Sequence, residues 1–146
     1  MNFGLTIAQQ IDSLNQKLPQ SIYIDLATIV YDGNASLNFE FSLQKQWLVR
    51  VGVGAGYALY PEDISIGLLS MINFISSGSS SHFECGAGGS INRIKNYENK
   101  FEWKLYPAFI VGYRYQAYDG GFVFRTGLGF TFAFGYLLYL SFGTTI

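Results

Sequence analysis

Residues Arg50 to Tyr57 read "RVGVGAGY", and their alternation is the tightest constraint on what this chain can fold into. Arg50, Gly52, Gly54 and Gly56 share one parity, and Val51, Val53, Ala55 and Tyr57 share the other. A period of two puts successive side chains on opposite faces of a strand. One face is then aliphatic and aromatic, and the other carries a single charge followed by glycines. A helix has no use for such a pattern, because each interior glycine costs it about 1 kcal/mol relative to alanine.

The same period predicts eight strands. They run over about Ser21 to Tyr31, Ser36 to Leu43, Trp47 to Tyr57, Ile64 to Ile75, His82 to Ile91, Trp103 to Tyr115, Phe122 to Phe132, and Gly135 to Phe142. Between them lie turn signals: "DGNA" at Asp32 to Ala35, "QKQ", a segment with Pro61, "SSGSSS" at Ser76 to Ser81, and "AYDGG". The stretch "RIKNYENKFE" from Arg93 reads as a charged loop. Connections this short make sequential strands antiparallel neighbours. No helical repeat or parallel βαβ pattern appears.

The faces stay distinct from strand to strand. Leu37, Phe39 and Phe41 oppose Asn38, Glu40 and Ser42; Phe83, Cys85 and Ala87 oppose His82, Glu84, Gly86 and Gly88. Phe109, Val111, Tyr113 and Tyr115 oppose Gly112 and Arg114; Phe122, Phe124, Leu128 and Phe130 oppose Arg125, Gly127 and Gly129. The first and fourth strands are apolar on both faces in places ("LATIV", "IGLLSMINF"), which predicts local filling of the interior.

Composition decides which face points inward. Charged residues are 13% of the 146, against about 25% in an ordinary soluble domain, and aromatics reach 18%. A soluble, lipocalin-like barrel binding an apolar ligand would put its bulky face inside and would need a charged exterior; here the polar face is mostly glycine. That face suits a narrow lumen, where small residues leave room for a few large ones. The apolar face, with its Trp and Tyr, suits lipid, and closure into a barrel removes the unpaired edges that lipid does not tolerate. Eight strands of roughly ten residues make the smallest closed membrane barrel. The predicted fold is therefore all-β: an eight-stranded, antiparallel, up-and-down transmembrane β-barrel over residues 21–146, with a short N-terminal leader.

A charge in such a lumen needs a partner. Glu40, Arg50, Glu84, Arg114 and Arg125 all share the glycine parity, so they are expected to form one interior charge network with a structural role. A lipid-modifying enzyme built on this scaffold would use His82, the only histidine, with the Ser76 to Ser81 turn and Glu84 nearby. A lone histidine at a strand end reads more simply as structural, so no catalytic residue is assigned. Cys85 reads as a small apolar strand residue, and "GAGG" and "GVGAG" lack the strand–turn–helix setting of a phosphate loop. No metal site and no cofactor are expected. A net charge of −1 gives no reason to expect nucleic acid as a partner.

The runs "SIYIDL" and "SLNFEFSLQKQWLVRVGVGAGY", the strand "HFECGAGG" and the hairpin "YPAFIVGYRYQAYDGGFVFRTGLGF" resemble small outer-membrane β-barrel proteins of Bacteroidetes-type bacteria, OmpA/OmpX-like in architecture. The resemblance covers roughly residues 21 to 143. It implies passage through the periplasm, insertion by the barrel assembly machinery, and a bacterial outer-membrane protein in contact with lipid, expected to be a monomer. Residues 1–20 are expected to be a residual signal or leader segment: Phe3 to Ala8 is apolar, Thr6 and Ala8 are placed like the small residues before a cleavage at Gln9, and Ile11 to Gln20 is polar. Barrels of this kind often end on an aromatic residue; here the chain closes "SFGTTI", so Phe142 is the expected signal, or the residues after it are an extension.

Overall fold

The computed structural model describes residues 18–28, 33–59, 62–76, 80–95, 98, 100–117, 119–132 and 135–146. They form eight strands: β1 (Ser21–Thr28), β2 (Gly33–Gln44), β3 (Trp47–Leu59), β4 (Glu62–Ile75), β5 (Ser81–Lys95), β6 (Phe101–Gln116), β7 (Phe122–Thr131) and β8 (Gly135–Thr145). Each pairs antiparallel with its sequence neighbours, and β1 pairs with β8 to close the barrel. No helix occurs among the described residues, and none is long and apolar enough to cross a membrane, which says nothing of strands that cross as a barrel.

The register fixes the tilt. Starting at Ser21, the rungs run through Glu40, Arg50, Met71, Gly88, Ala108 and Thr131 to Gly135. On the closing seam Thr28 meets Leu138, seven residues beyond Ser21 and three beyond Gly135, so one circuit climbs ten residues. Such a stagger tilts the strands well away from the barrel axis, within the roughly 35–45° usual for these barrels.

Exposure follows parity along the strands, apart from the start of β6, where Phe101 to Leu105 are all exposed. Ile24, Leu37, Val53, Leu68, Phe83, Phe109, Leu128 and Leu138 are exposed, while Tyr23, Asn38, Arg50, Asn73, Glu84, Arg114, Arg125 and Ser141 are buried. The apolar face is outside, opposite to what a lipocalin-like cavity needs. Aromatic side chains cluster near the ends of the strands, as in the contact of Trp47 with Phe74 (ring centroids 5.3 Å apart) and of Phe130 with Tyr136 (5.2 Å). That distribution matches the two girdles of a membrane barrel.

Several boundaries differ from those read in the sequence. Gly33 to Ala35 of the "DGNA" signal already belong to β2, Asp32 and residues 29–31 of the predicted first strand lie outside the described residues, and Phe132 lies just past β7. The largest difference is at "RIKNYENKFE". β5 runs on to Lys95 and β6 begins at Phe101, so both ends of this charged stretch are paired strand that extends the wall. Beyond the rim of the barrel both faces of a ribbon can be solvated, so polar residues there do not end a strand. The β4–β5 ladder stops at Ile66 opposite Arg93, and the β6–β7 ladder stops at Ala108 opposite Thr131. Phe101 to Pro107 therefore pair only with β5, apart from one hydrogen bond in which Phe132 N–H donates to Pro107 O (3.4 Å).

Of the leader, residues 1–17 lie outside the described part. Leu18 is buried against Leu48 and Ile75 at the end of the barrel where the chain enters β1. Ser42 Oγ donates to Leu18 O (2.8 Å), Gln116 Nε2 to Pro19 O (3.1 Å), and Ile146 N to Gln20 O (2.9 Å). The three bonds come from β2, from β6 and from just past β8, so this short segment is tied across the barrel mouth. Apolar filling comes from β4 (Leu69, Met71, Ile75), with Leu18 and Leu48; of the apolar run in the first strand Leu26 faces outward, and residues 29–30 lie outside the described residues.

Candidate functional site

All five charged residues singled out in the sequence point into the lumen and are buried, with Glu84, Arg114 and Arg125 fully so. The pairing is not the one that adjacency suggests. Glu40 and Arg50 face each other across the β2–β3 rung, yet Arg50 pairs with Asp25 of β1, and its Nε donates to Asn38 Oδ1 (2.9 Å). Asp25 lies opposite Ser36, which lies opposite Gly54, so Arg50 reaches along the lumen past Gly52. Glu40 instead pairs across the lumen with Arg114.

Arg114 and Arg125 are direct cross-strand neighbours, an arrangement that repels unless something intervenes. Glu84 intervenes. Arg125 grips it with two parallel bonds, Nε to Oε2 (2.8 Å) and Nη2 to Oε1 (2.7 Å), and Arg114 Nη1 lies 3.7 Å from Oε1. The fork-to-carboxylate geometry is the strong form of this contact. Asn73 Nδ2 donates to Glu84 Oε1 (2.9 Å) and to Glu40 Oε2 (3.2 Å), and Tyr23 Oη donates to Glu40 Oε2 (3.2 Å). Arg125 also lies 3.7 Å from Asp25 and over the Tyr23 ring, 4.7 Å from its centroid. Three carboxylates (Asp25, Glu40, Glu84) thus meet three guanidiniums (Arg50, Arg114, Arg125) in one closed, charge-balanced layer.

The glycines explain how such bulk fits. Tyr23 faces Gly143, Asn38 faces Gly52, Asn73 faces Gly86, and Tyr139 faces Gly127, each on a shared rung. A Cβ built at any of these glycines would collide with the large residue opposite it. The alternation of "RVGVGAGY" is half of a large-against-small fit, whose other half lies on neighbouring strands.

Asp25 was not among the residues picked from the sequence, nor were Tyr23, Asn73 and Gln116 as members of the layer. Asp25 and Tyr23 share a parity in "SIYIDL", so the signal was present but was obscured by the apolar run that follows. Gln116 links the layer to the tied segment: Arg114 Nε donates to its Oε1 (2.8 Å) while its amide holds Pro19 O.

Of the Ser76 to Ser81 turn, residues 77–79 lie outside the described residues, and His82 does not join Ser76 and Glu84 in a catalytic arrangement. Its Nδ1 lies 2.9 Å from Ser76 O and its Nε2 3.3 Å from Gln116 O, both main-chain carbonyls. Ser76 Oγ accepts from Phe83 N–H (2.8 Å), and Glu84 is engaged by arginine and asparagine. Among the described residues no group of His, Cys, Asp and Glu is arranged to hold a metal ion. Toward the other end, beyond the charge layer, the lumen opens into a cavity of about 150 Å³ lined by Asn34, Ser36, Ser65, Ser90, Asn92 and Thr131, among others.

No protein-family model matches the chain, and no curated protein matches it. Solved structures do. The N-terminal β-barrel domain of Pseudomonas aeruginosa OprF superposes with a TM-score of 0.74 at 10% identity, over 90% of this chain and 99% of that one. Ail, an outer-membrane protein of Yersinia pestis, gives 0.58 at 11% identity, over 89% and 100% of the two chains. A de novo designed transmembrane β-barrel gives 0.58 at 9%, over 90% and 98%. At these identities the likeness is one of architecture, and the architecture is that of an eight-stranded outer-membrane β-barrel.

Proposed function

We propose that this chain is a monomeric protein of a bacterial outer membrane with a structural or surface-interaction role, whose lumen is closed by the Glu/Arg layer and conducts no ions. The observation that carries the reading is the inverted polarity: three carboxylates and three arginines buried inside, and an apolar face outside. A soluble barrel has no reason to expose Ile24, Leu68 and Leu138, and lipid gives one. The resemblance of its strand motifs to small barrels of Bacteroidetes-type bacteria supports a relative of that group. On this reading its partners are membrane lipid and, during insertion, the barrel assembly machinery. It includes no catalysis, because His82 is committed to main-chain carbonyls.

The test is heat-modifiability, followed by conductance. The chain is refolded from urea into detergent and run on SDS gels with and without boiling. A faster band in the unboiled lane, and no current steps when the same sample is added to a planar bilayer, are the expected results. Solubility without detergent and no mobility shift would sink the membrane reading; stable current steps would sink the closed lumen.

A further inference from the structure

We infer that the base of the β5–β6 hairpin is a binding site for the phosphate headgroup of an anionic membrane lipid. This rests on the membrane reading above. β5 and β6 are 15 and 16 residues long, whereas about 9–11 residues of tilted strand cross the hydrocarbon. The surplus carries their outward face through the interface. Three successive outward rungs lie there: Ile91 opposite Leu105, Arg93 opposite Trp103, and Lys95 opposite Phe101. Leu105 is 71% exposed and Trp103 62%. The order is apolar first, then a cation beside an aromatic ring, twice.

Arg93 and Lys95 are the only basic residues at outward positions of the described strands; Arg50, Arg114 and Arg125 face the lumen, and Lys104 is on the inward parity and pairs with Glu102 (3.6 Å). A cation facing lipid is strongly unfavourable at the bilayer centre and nearly free of cost at the interface, so these two belong at headgroup level. The Arg93 guanidinium lies 3.8 Å from the centroid of the Phe101 ring, which fixes it on the outward side of the ribbon. An acyl chain lying along Ile91 and Leu105 brings its phosphate within one or two rungs of both cations, at about 6.7 Å per rung. Charge complementarity and continuity with the apolar belt together select a phospholipid over a soluble anion.

The experiment titrates phosphatidylglycerol into the refolded full chain in a zwitterionic detergent and counts bound lipid by native mass spectrometry. The parent is expected to retain phosphatidylglycerol in preference to phosphatidylcholine. R93Q/K95Q should weaken that binding about thirtyfold, from the loss of two basic groups near an anionic surface. R93K/K95R and K104Q should keep it, and inorganic phosphate should not displace the lipid. Equal retention by the parent and R93Q/K95Q, or displacement by phosphate alone, overturns the inference. Each variant is first checked for the heat-modifiable band, so a chain that forms no barrel is recognised as a failure of the membrane reading instead.

Discussion

The two halves of the lumen solve the same problem in opposite ways. Toward the end where β1 begins, the interior is filled with arginines, carboxylates, tyrosines and an apolar floor of Leu18, Leu48 and Ile75, and Tyr23, Asn38, Asn73 and Tyr139 are each opposed by a glycine. Toward the other end the wall carries glycine, serine and asparagine and leaves a cavity of about 150 Å³. Burying charge is costly, and a buried ion pair adds little net stability compared with apolar packing; once built, however, it cannot lose a member cheaply. The filled half should therefore be brittle toward substitution and the open half tolerant.

The largest effect is expected at Glu84, which holds Arg125 by two bonds and lies between two arginines. Glu84→Gln keeps the volume and removes the charge, and should lower the unfolding free energy in lipid by about 3–5 kcal/mol, read from a urea titration of the gel-shifted band. A variant as stable as the parent would show that the layer is not an interdependent unit. Glycine substitutions sharpen the contrast. A Cβ at Gly112 meets Thr126 O, Tyr139 Oη and the Cα of Gly127 (2.9 Å), so backbone must move, and Gly112→Ala should cost about 1–3 kcal/mol in the same titration. At Gly56, in the open half, the obstacle is the Asn34 amide, a side-chain tip that can swing away. Gly56→Ala should cost about 0.5 kcal/mol or less. If the two alanines cost the same, packing does not differ between the halves. The gentlest probe is chemical. With Cys85 replaced by Ala, a cysteine at Ser90 should react with a water-soluble maleimide, while one at the fully buried Ser141 should not react in the folded barrel.

How much of this was readable beforehand follows from the physics of each part. Where strands cross lipid, the two faces meet different solvents, so the alternation of Leu37, Phe39 and Phe41 with Asn38 and Glu40 gives both the strand and its orientation. In the β5–β6 hairpin that difference vanishes beyond the rim, and Arg93 to Glu102 look like a loop although Arg93 to Lys95, Phe101 and Glu102 are strand. Parity alone puts five of the six charged residues of the layer on the inward face, Asp25 being the one left out. It could not say who pairs with whom, because the partners are set by a stagger of ten residues and by reach across the lumen, neither of which is local in sequence. Glu40 with Arg114 is the clearest case, two residues on opposite walls. Leu18 escaped for a related reason: it lies before the period-two pattern begins, in a mostly polar stretch, and its burial depends on a mouth that only the closed barrel provides.

Pro107 has a consequence for assembly. Its carbonyl accepts from Phe132, so this face of the residue looks toward β7, and in an antiparallel ladder the nitrogen of the same residue looks the same way. A proline has no hydrogen to offer there. β7 can therefore zip along β6 from Gln116 to Ala108 but finds no donor at the next matching position. A chain whose polar lumen face repeats glycine after glycine is prone to slide by two residues, since such a slip keeps every side chain on its proper face. A β7 shifted two residues further along β6 would meet Pro107 with no N–H to receive, so that register would lack a ladder bond which the native one does not need.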